Sequence, residues 1–151
     1  MEVTDFSEIQ AEFEERVQAV IYCMLVTTDH NMRPRSRVVH PVWEGATGWV
    51  TSRRHSPKAK HLEYNPYVSV AYLPNPAKPV YAECIASWED DRDEKARIWA
   101  FLKATPAPYG FDPGTIFSSV DDPKYGLLKL TPWRIEVPSI PYGTLIWRGS
   151  N

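Results

Sequence analysis

Residues 48–66 constrain the fold most, because they predict a strand, a short basic loop and a helix in immediate succession. Ser56 is a residue type that caps helices, and Pro57 suits the first helical position, where a missing N–H loses no hydrogen bond. The free N–H groups of a first helical turn and the helix dipole both favour a bound anion. The sequence therefore predicts an anion site in front of Ser56.

Basic side chains surround this predicted helix start. Arg53, Arg54 and His55 lie in the loop, and Lys58 and Lys60 follow on the helix. Phosphate is the anion that such a site favours, because its oxygens accept charge-assisted hydrogen bonds.

The basic stretch is a local feature, since the net charge of the whole chain is −2. A protein that coats nucleic acid carries a wider basic excess, so the composition argues against that class. A module that binds single strands through residues 53–61 is the alternative that the patch leaves open.

The rest of the chain alternates between short apolar strands and breakers, including 14 prolines, which favour short strands and turns. Strands are predicted over residues 20–28, 35–43, 49–52, 68–73, 80–88 and 127–137, and helices over 5–19, 57–64 and 90–103. No repeat or linker divides the sequence. We therefore predict a single α+β, mainly β domain over residues 1–151, built as a small barrel of antiparallel strands.

Several sequence features concern the environment of the chain. No apolar run reaches membrane-spanning length and the acidic N-terminus has no signal-peptide pattern, so a cytoplasmic protein with no membrane contact is expected. Cys23 and Cys84 lie in apolar, strand-like runs, which favours buried free thiols over a disulfide. No Cys/His group has zinc spacing, so no metal site is expected.

The order and spacing of several motifs resemble the flavin-binding split-barrel superfamily of pyridoxamine 5′-phosphate oxidase. They are Arg-x-Arg-Val-Val (35–39), Trp-Val-Thr-Ser (49–52), Ser-x-Lys (56–58), Tyr-Asn-Pro (64–66) and Val-Ser-Val-Ala-Tyr (68–72). The segment 121–132 resembles the general-stress-protein branch, and the similarity spans roughly residues 9–137. The resemblance implies a homodimer of six-stranded antiparallel split barrels with flanking helices and with FMN at the subunit interface.

Ten residues become candidates for cofactor binding under this resemblance. Arg37 and Lys58 are expected to hold the phosphate, assisted by Ser56, with Lys60 as a second phosphate partner. The remaining candidates lie along the ring and the ribityl chain: Arg35, Val38, Val39, His40, Thr51 and Ser52. The alternative for the basic members is an ordinary solvent-facing role on an exposed strand or helix. No side chain is assigned as catalytic, because a bound flavin carries the redox chemistry itself.

The resemblance implies an FMN-dependent oxidoreductase that acts on a small-molecule redox substrate. Two departures argue against oxidation of pyridoxamine phosphate: Pro57 replaces an arginine usual in those oxidases, and residues 144–151 lack their Arg-x-His pair. The deazaflavin F420 is the alternative cofactor, because it presents the same kinds of ring, ribityl chain and phosphate. A flavin-binding stress protein without turnover is the alternative class. Loops 74–79 and 105–122 and the tail are expected to build the pocket above the ring.

Overall fold

Three α-helices and nine β-strands form within residues 1–150, which the computed structural model describes; Asn151, the last residue of the predicted domain, lies outside them. The predicted α+β, mainly β class is therefore confirmed. The helices are α1 (Ser7–Val20), α2 (Pro57–Tyr64) and α3 (Arg92–Ala104). The strands are β1 (Glu2–Val3), β2 (Cys23–Thr28), β3 (Pro34–Val39), β4 (Val42–Glu44), β5 (Thr47–Arg53), β6 (Tyr67–Tyr72), β7 (Val80–Trp88), β8 (Tyr125–Ser139) and β9 (Gly143–Arg148).

All nine strands within residues 1–150 belong to one sheet, in the order β1-β9-β8-β7-β6-β2-β3. Strand β8 also pairs with β5, which in turn pairs with β4. The pairings are antiparallel except for β1 with β9. The 15 residues of β8 therefore join the β4–β5 hairpin to the rest of the sheet.

The sequence predicts six strands, and residues 1–150 contain three more. The predicted strand 35–43 is divided into β3 and β4 at His40 and Pro41, because proline has no N–H to give to a strand ladder. The tail contains β9, and β1 pairs with it in parallel, with Glu2 opposite Ile146. Two-residue strands such as β1 have too little periodicity to be recognised from sequence.

Helix α1 begins two residues after its predicted start, and Asp5 and Glu8 form hydrogen bonds around this start. The Asp5 N–H donates to the Glu8 carboxylate at 3.1 Å, and the Ser7 N–H donates to the Asp5 carboxylate at 2.9 Å. The apolar face of α1 packs on the sheet through Phe13, which meets the Trp43 ring edge-on at a centroid distance of 5.0 Å. This contact fixes α1 against the larger of two hydrophobic clusters.

The second cluster holds α3 in place. Ile98 and Leu102 of α3 are fully buried and pack with Trp49 and Leu127 from β5 and β8. The two cysteines belong to the larger cluster and are free and buried, as predicted. Burial raises the pKa of the Cys23 thiol to about 12.

None of the helices within residues 1–150 is long and apolar enough to cross a membrane.

Gly126 lies where β8 passes β5, and a larger side chain at this position should destabilise the fold. A Cβ at this position would lie 2.5 Å from the Ser52 carbonyl oxygen and 2.7 Å from the Trp88 ring. We expect Gly126→Ala to lower the free energy of unfolding by about 3 kcal/mol, the upper end of the cost of overpacking, as measured by urea denaturation.

Gly45→Ala is the matched control, because Gly45 has φ of +59° and nothing within 4 Å of an added Cβ. The free energy of unfolding of this variant should fall by only about 1 kcal/mol, the cost of a left-handed backbone for a residue that has a Cβ. Equal losses in the two variants would show that close packing at Gly126 has no special cost.

Candidate functional site

A cavity of about 520 Å³ opens between β3, β5, the start of α2 and the 105–122 loop. Seven of the ten predicted cofactor residues line it: Arg37, Val38, Val39, His40, Thr51, Ser52 and Lys58. The remaining wall comes from Tyr22, Pro108, Phe111, Thr115 and Ile116. We call this space the Arg37–Lys58 cavity.

The other three predicted residues lie elsewhere. Ser56 and Lys60 line a neighbouring cavity of about 450 Å³. Lys60 is separated from Lys58 because residues two positions apart on a helix point to different sides. Arg35 is not among the residues that line either cavity, and its guanidinium lies 3.8 Å from the Asp29 carboxylate.

The start of α2 has the predicted form with one difference. Ser56 occupies the N-cap position and Pro57 the first turn, but the Ser56 hydroxyl makes no capping bond. That hydroxyl instead accepts a hydrogen bond from Lys58 Nζ at 3.2 Å. Lys58 Nζ also donates to the Ser52 hydroxyl, so two neutral groups orient the ammonium.

Lys58 is half-buried, and no carboxylate within residues 1–150 forms an ion pair with it. Burial, followed by the charge of Arg37, lowers the pKa of Lys58. A cation that loses hydration without gaining a counter-ion is destabilised, and a bound anion would relieve that cost.

Arg37 is the second cation of the cavity, and it likewise has no carboxylate partner in the described part of the chain. Its Nη1 donates to the Thr27 hydroxyl at 2.9 Å, and its Nη2 lies 3.3 Å from His61 Nδ1. Burial, followed by the charge of Arg35, lowers the pKa of Arg37. Two partly buried cations therefore border one cavity, and their hydrogen-bond partners within residues 1–150 are hydroxyl groups and a histidine ring.

His40 connects β3 to the loop on the opposite side of the cavity. Its Nε2–H donates to the Tyr109 carbonyl at 2.7 Å, and its ring lies 5.1 Å from that of Phe111. Burial lowers the pKa of His40, while the bond to Tyr109 opposes the shift. A neutral histidine thus fastens the 105–122 loop beside the cavity.

The wall residues from the 105–122 loop agree with the expectation that this loop builds a pocket. Loop 74–79 and the tail up to residue 150 contribute no residue to the cavity. Sequence patterns did not indicate Tyr22 as a wall residue or the contacts of Thr27 and His61 with Arg37, because these depend on strand register and helix docking. Trp88, Trp133 and Trp147 do not line the cavity, and Trp88 packs under the Arg54 guanidinium at 4.8 Å. No group of three or more His, Cys, Asp or Glu side chains suited to a metal occurs within residues 1–150.

The sequence model described as pyridoxamine 5′-phosphate oxidase matches residues 9–137 of this chain. The match covers most of the sequence, so the chain belongs to the pyridoxamine 5′-phosphate oxidase family. The comparison with curated protein sequences found no match.

Solved structures share the fold at low sequence identity. A Clostridium acetobutylicum protein related to general stress protein 26 of B. subtilis has a TM-score of 0.73 and 16% identity, over 95% of this chain and 96% of that one. A pyridoxamine 5′-phosphate oxidase-related, FMN-binding protein from Nostoc punctiforme has a TM-score of 0.65 and 15% identity, over 94% and 88%. A heme storage protein from Vibrio cholerae has a TM-score of 0.63 and 20% identity, over 86% and 94%.

The burial of His40 predicts a pH-dependent contribution to stability. Its pKa in the folded state is below the ordinary value of 6.5, so the unfolded state binds more protons in the window below that pH. The contribution is present above pH 6.5 and is lost as the pH falls through the folded-state pKa. We expect His40→Gln, which keeps a donor for Tyr109 but does not titrate, to lose less stability than the wild type on acidification.

Urea denaturation at about pH 7.5 and about pH 5, on either side of the histidine range, measures this difference. His55→Gln, at an exposed loop histidine, is the matched control for the exchange itself. If the wild type and His40→Gln lost equal stability, the burial of His40 would have no influence on its protonation.

Proposed function

We propose that this member of the family binds FMN in the Arg37–Lys58 cavity and acts as an oxidoreductase on a small-molecule substrate. The supporting observation is the pair Arg37 and Lys58, two partly buried cations that form no ion pair with a carboxylate in the described part of the chain. A phosphate monoester supplies the missing negative charge, and its oxygens accept hydrogen bonds from both cations. The FMN-binding relative from Nostoc punctiforme supports the same cofactor.

The walls of the cavity suit the rest of the cofactor. Val38, Val39 and Phe111 offer apolar surface for a tricyclic ring, and the Thr51 and Ser52 hydroxyls offer partners for ribityl oxygens. We assign Ser56 an indirect role, because it orients the ammonium of Lys58. Arg35 and Lys60, outside the cavity wall, add positive charge to its surroundings.

FMN, when bound, supplies the hydride or electron transfer. In this proposal the chain's own residues bind, orient and exclude water, and none acts as a general acid or base. His40 holds the 105–122 loop against the cavity, so that loop would shape the place where a substrate meets the ring. Pyridoxamine phosphate is not the proposed substrate. Pro57 stands in place of the arginine usual in those oxidases, and residues 144–151 lack their Arg-x-His pair.

We also propose that residues 1–151 form one flavin-binding split-barrel domain that dimerises over the cofactor. Val38, Met24, Ala71 and Tyr81 stand opposite one another across β3, β2, β6 and β7. Val38 is 64% exposed and Met24 40% exposed, although both are apolar. Tyr22 and Val38 also border both the Arg37–Lys58 cavity and an adjacent apolar groove, so a second copy on this face would adjoin the cofactor.

F420 is the alternative cofactor, because its phosphate would suit the same two cations. A flavin-binding protein without turnover is the alternative class. The heme storage relative makes haem a third ligand that the test must include, since carboxylates of haem would also be attracted to Arg37 and Lys58.

Cofactor titration with phosphate-bearing and phosphate-free flavins tests the site. We expect FMN to bind, and Lys58→Ala to raise its Kd at least about tenfold, the typical loss of a charge-assisted hydrogen bond. Riboflavin, which lacks the phosphate, should bind the wild type and Lys58→Ala equally. Flavin fluorescence quenching gives both constants.

Lys103→Ala is the matched control, because Lys103 is exposed near the end of α3 and away from the cavity. Tighter binding of F420 than of FMN would keep the site and change the cofactor. Binding of haemin in preference to both flavins, with no effect of Lys58→Ala, would refute the proposal.

The dimer has its own test. We expect Met24→Glu to convert a dimer to a monomer in sedimentation experiments and to weaken FMN binding, because it places a charge within the apolar face. Met32→Glu is the matched control, since Met32 is 78% exposed in the turn between β2 and β3. A wild type that sediments as a monomer with FMN bound would contradict the proposed interface.

A further inference from the structure

We infer that Thr27 and His61 are positioning residues that hold the Arg37 guanidinium at the cavity, and that they do so only while His61 is uncharged. This inference rests on the proposed role of Arg37 as a phosphate ligand. Thr27 lies on β2 and His61 on α2, so two elements hold a side chain that belongs to β3.

The hydrogen-bonding roles in this group follow from the chemistry of arginine, which only donates. The contact of 3.3 Å between Arg37 Nη2 and His61 Nδ1 therefore requires Nδ1 to accept. The Thr27 hydroxyl accepts from Arg37 Nη1, and its own hydrogen is free to be donated to His61 Nδ1 at 2.9 Å. The single lone pair of Nδ1 is thus shared between the Thr27 hydroxyl and the longer contact from Arg37 Nη2. The ring proton of neutral His61 must then lie on Nε2.

Thr27 makes this arrangement rigid. Its side chain is fully buried, so its hydroxyl cannot hydrogen-bond to solvent and has Arg37 and His61 as its partners. Arg37 has five N–H donors and uses only some of them to contact Thr27 and His61, so the others are available to a ligand in the cavity. The same helix carries Lys58 and His61 three residues apart, on neighbouring positions of one face, so α2 places a ligand and a support together.

The charges near His61 favour its neutral form. Burial, followed by the charges of Arg37 and Arg35, holds its pKa below the ordinary value, and Asp29 opposes this shift. The titratable and charged groups that act on it or share its cavity are Arg35 and Arg37 from β3, Asp29 and His30 from the turn after β2, and His55, Lys60 and Tyr64 from α2 and the loop before it.

Protonation of His61 would reverse the geometry. The Nδ1 acceptor would become a donor facing Arg37 Nη2, and a new positive charge would lie beside the guanidinium. The Arg37–His61 contact would then be lost and Arg37 would move away from its position at the cavity. His61 does not line the Arg37–Lys58 cavity, so its own charge would not replace that of Arg37 at the ligand.

Paired substitutions separate positioning from simple structural damage. His61→Asn keeps an acceptor oxygen near the place of Nδ1 and does not titrate, whereas His61→Ala removes the acceptor. At about pH 8, where histidine is neutral, we expect His61→Ala to raise the Kd of FMN about tenfold and His61→Asn to stay near the wild type. Neither variant should change the Kd of riboflavin. Thr27→Val and Thr27→Ser form a second pair with the same expectation.

The pH profile provides a readout that a purely structural role would not move. The phosphate of free FMN titrates near pH 6, as phosphate monoesters do, and this contribution to the profile is common to every variant. We expect the wild type to lose more FMN affinity than His61→Asn between about pH 8 and about pH 5, because only the wild type loses its acceptor. Identical profiles, or equal FMN binding by His61→Ala and the wild type, would overturn the inference.

A histidine NMR titration without flavin distinguishes failure of the inference from failure of the proposed function. We expect the His61 pKa to rise in Arg37→Gln, because the neighbouring positive charge is removed. If the wild type bound neither FMN nor F420 but this shift occurred, the proposed function would fail and the contact between His61 and Arg37 would be supported. If FMN bound but no shift occurred, the function would stand and the inference would fail.

Discussion

Like charges held close together in a half-buried space are the constraint on which this site depends. Arg37 and Lys58 each lose hydration, and neither forms an ion pair with a carboxylate within residues 1–150. Burial lowers the pKa of both groups, and the charge of Arg37 lowers the pKa of Lys58 further. The fold compensates with neutral oxygen and nitrogen acceptors, from Thr27, Ser52, Ser56 and His61. Holding two cations in this way costs stability, and burial of apolar side chains in the two hydrophobic clusters is the favourable term that can offset it.

The strongest sequence signals were local ones. Pro57 correctly predicts the first residue of α2, and the apolar alternation of β7 predicts the residues at which that strand begins and ends. Both patterns depend only on neighbouring residues. Pro41 also shows why a segment predicted as one strand, 35–43, can hold parts of two strands. Short pairings such as β1 with β9 depend on distant residues and leave no such pattern.

The candidate site was predictable where its residues share a motif. Lys58 and Arg37 belong to recognisable patterns, and both line the cavity. Lys60 belongs to the same pattern but lies on another side of α2, which helical geometry could have indicated. The contacts of Thr27 and His61 with Arg37 could not have been predicted, because they require the docking of α2 on β2 as well as the register of β2 with β3. The solved structures show that the fold alone does not identify a ligand, since an FMN-binding protein and a heme storage protein share it.

The long strand β8 determines the order in which the cavity can form during synthesis. Strand β5, which carries Thr51 and Ser52, pairs only with β4 and β8 within residues 1–150. Its partner residues, such as Gly126 opposite Ser52, leave the ribosome more than seventy positions later. The β4–β5 hairpin therefore lacks its partner strand while roughly half of the sequence is synthesised, and the part of the cavity wall formed by Thr51 and Ser52 is incomplete until β8 is made. A cofactor that needs both walls would enter as one of the last events of folding rather than serve as a template for it.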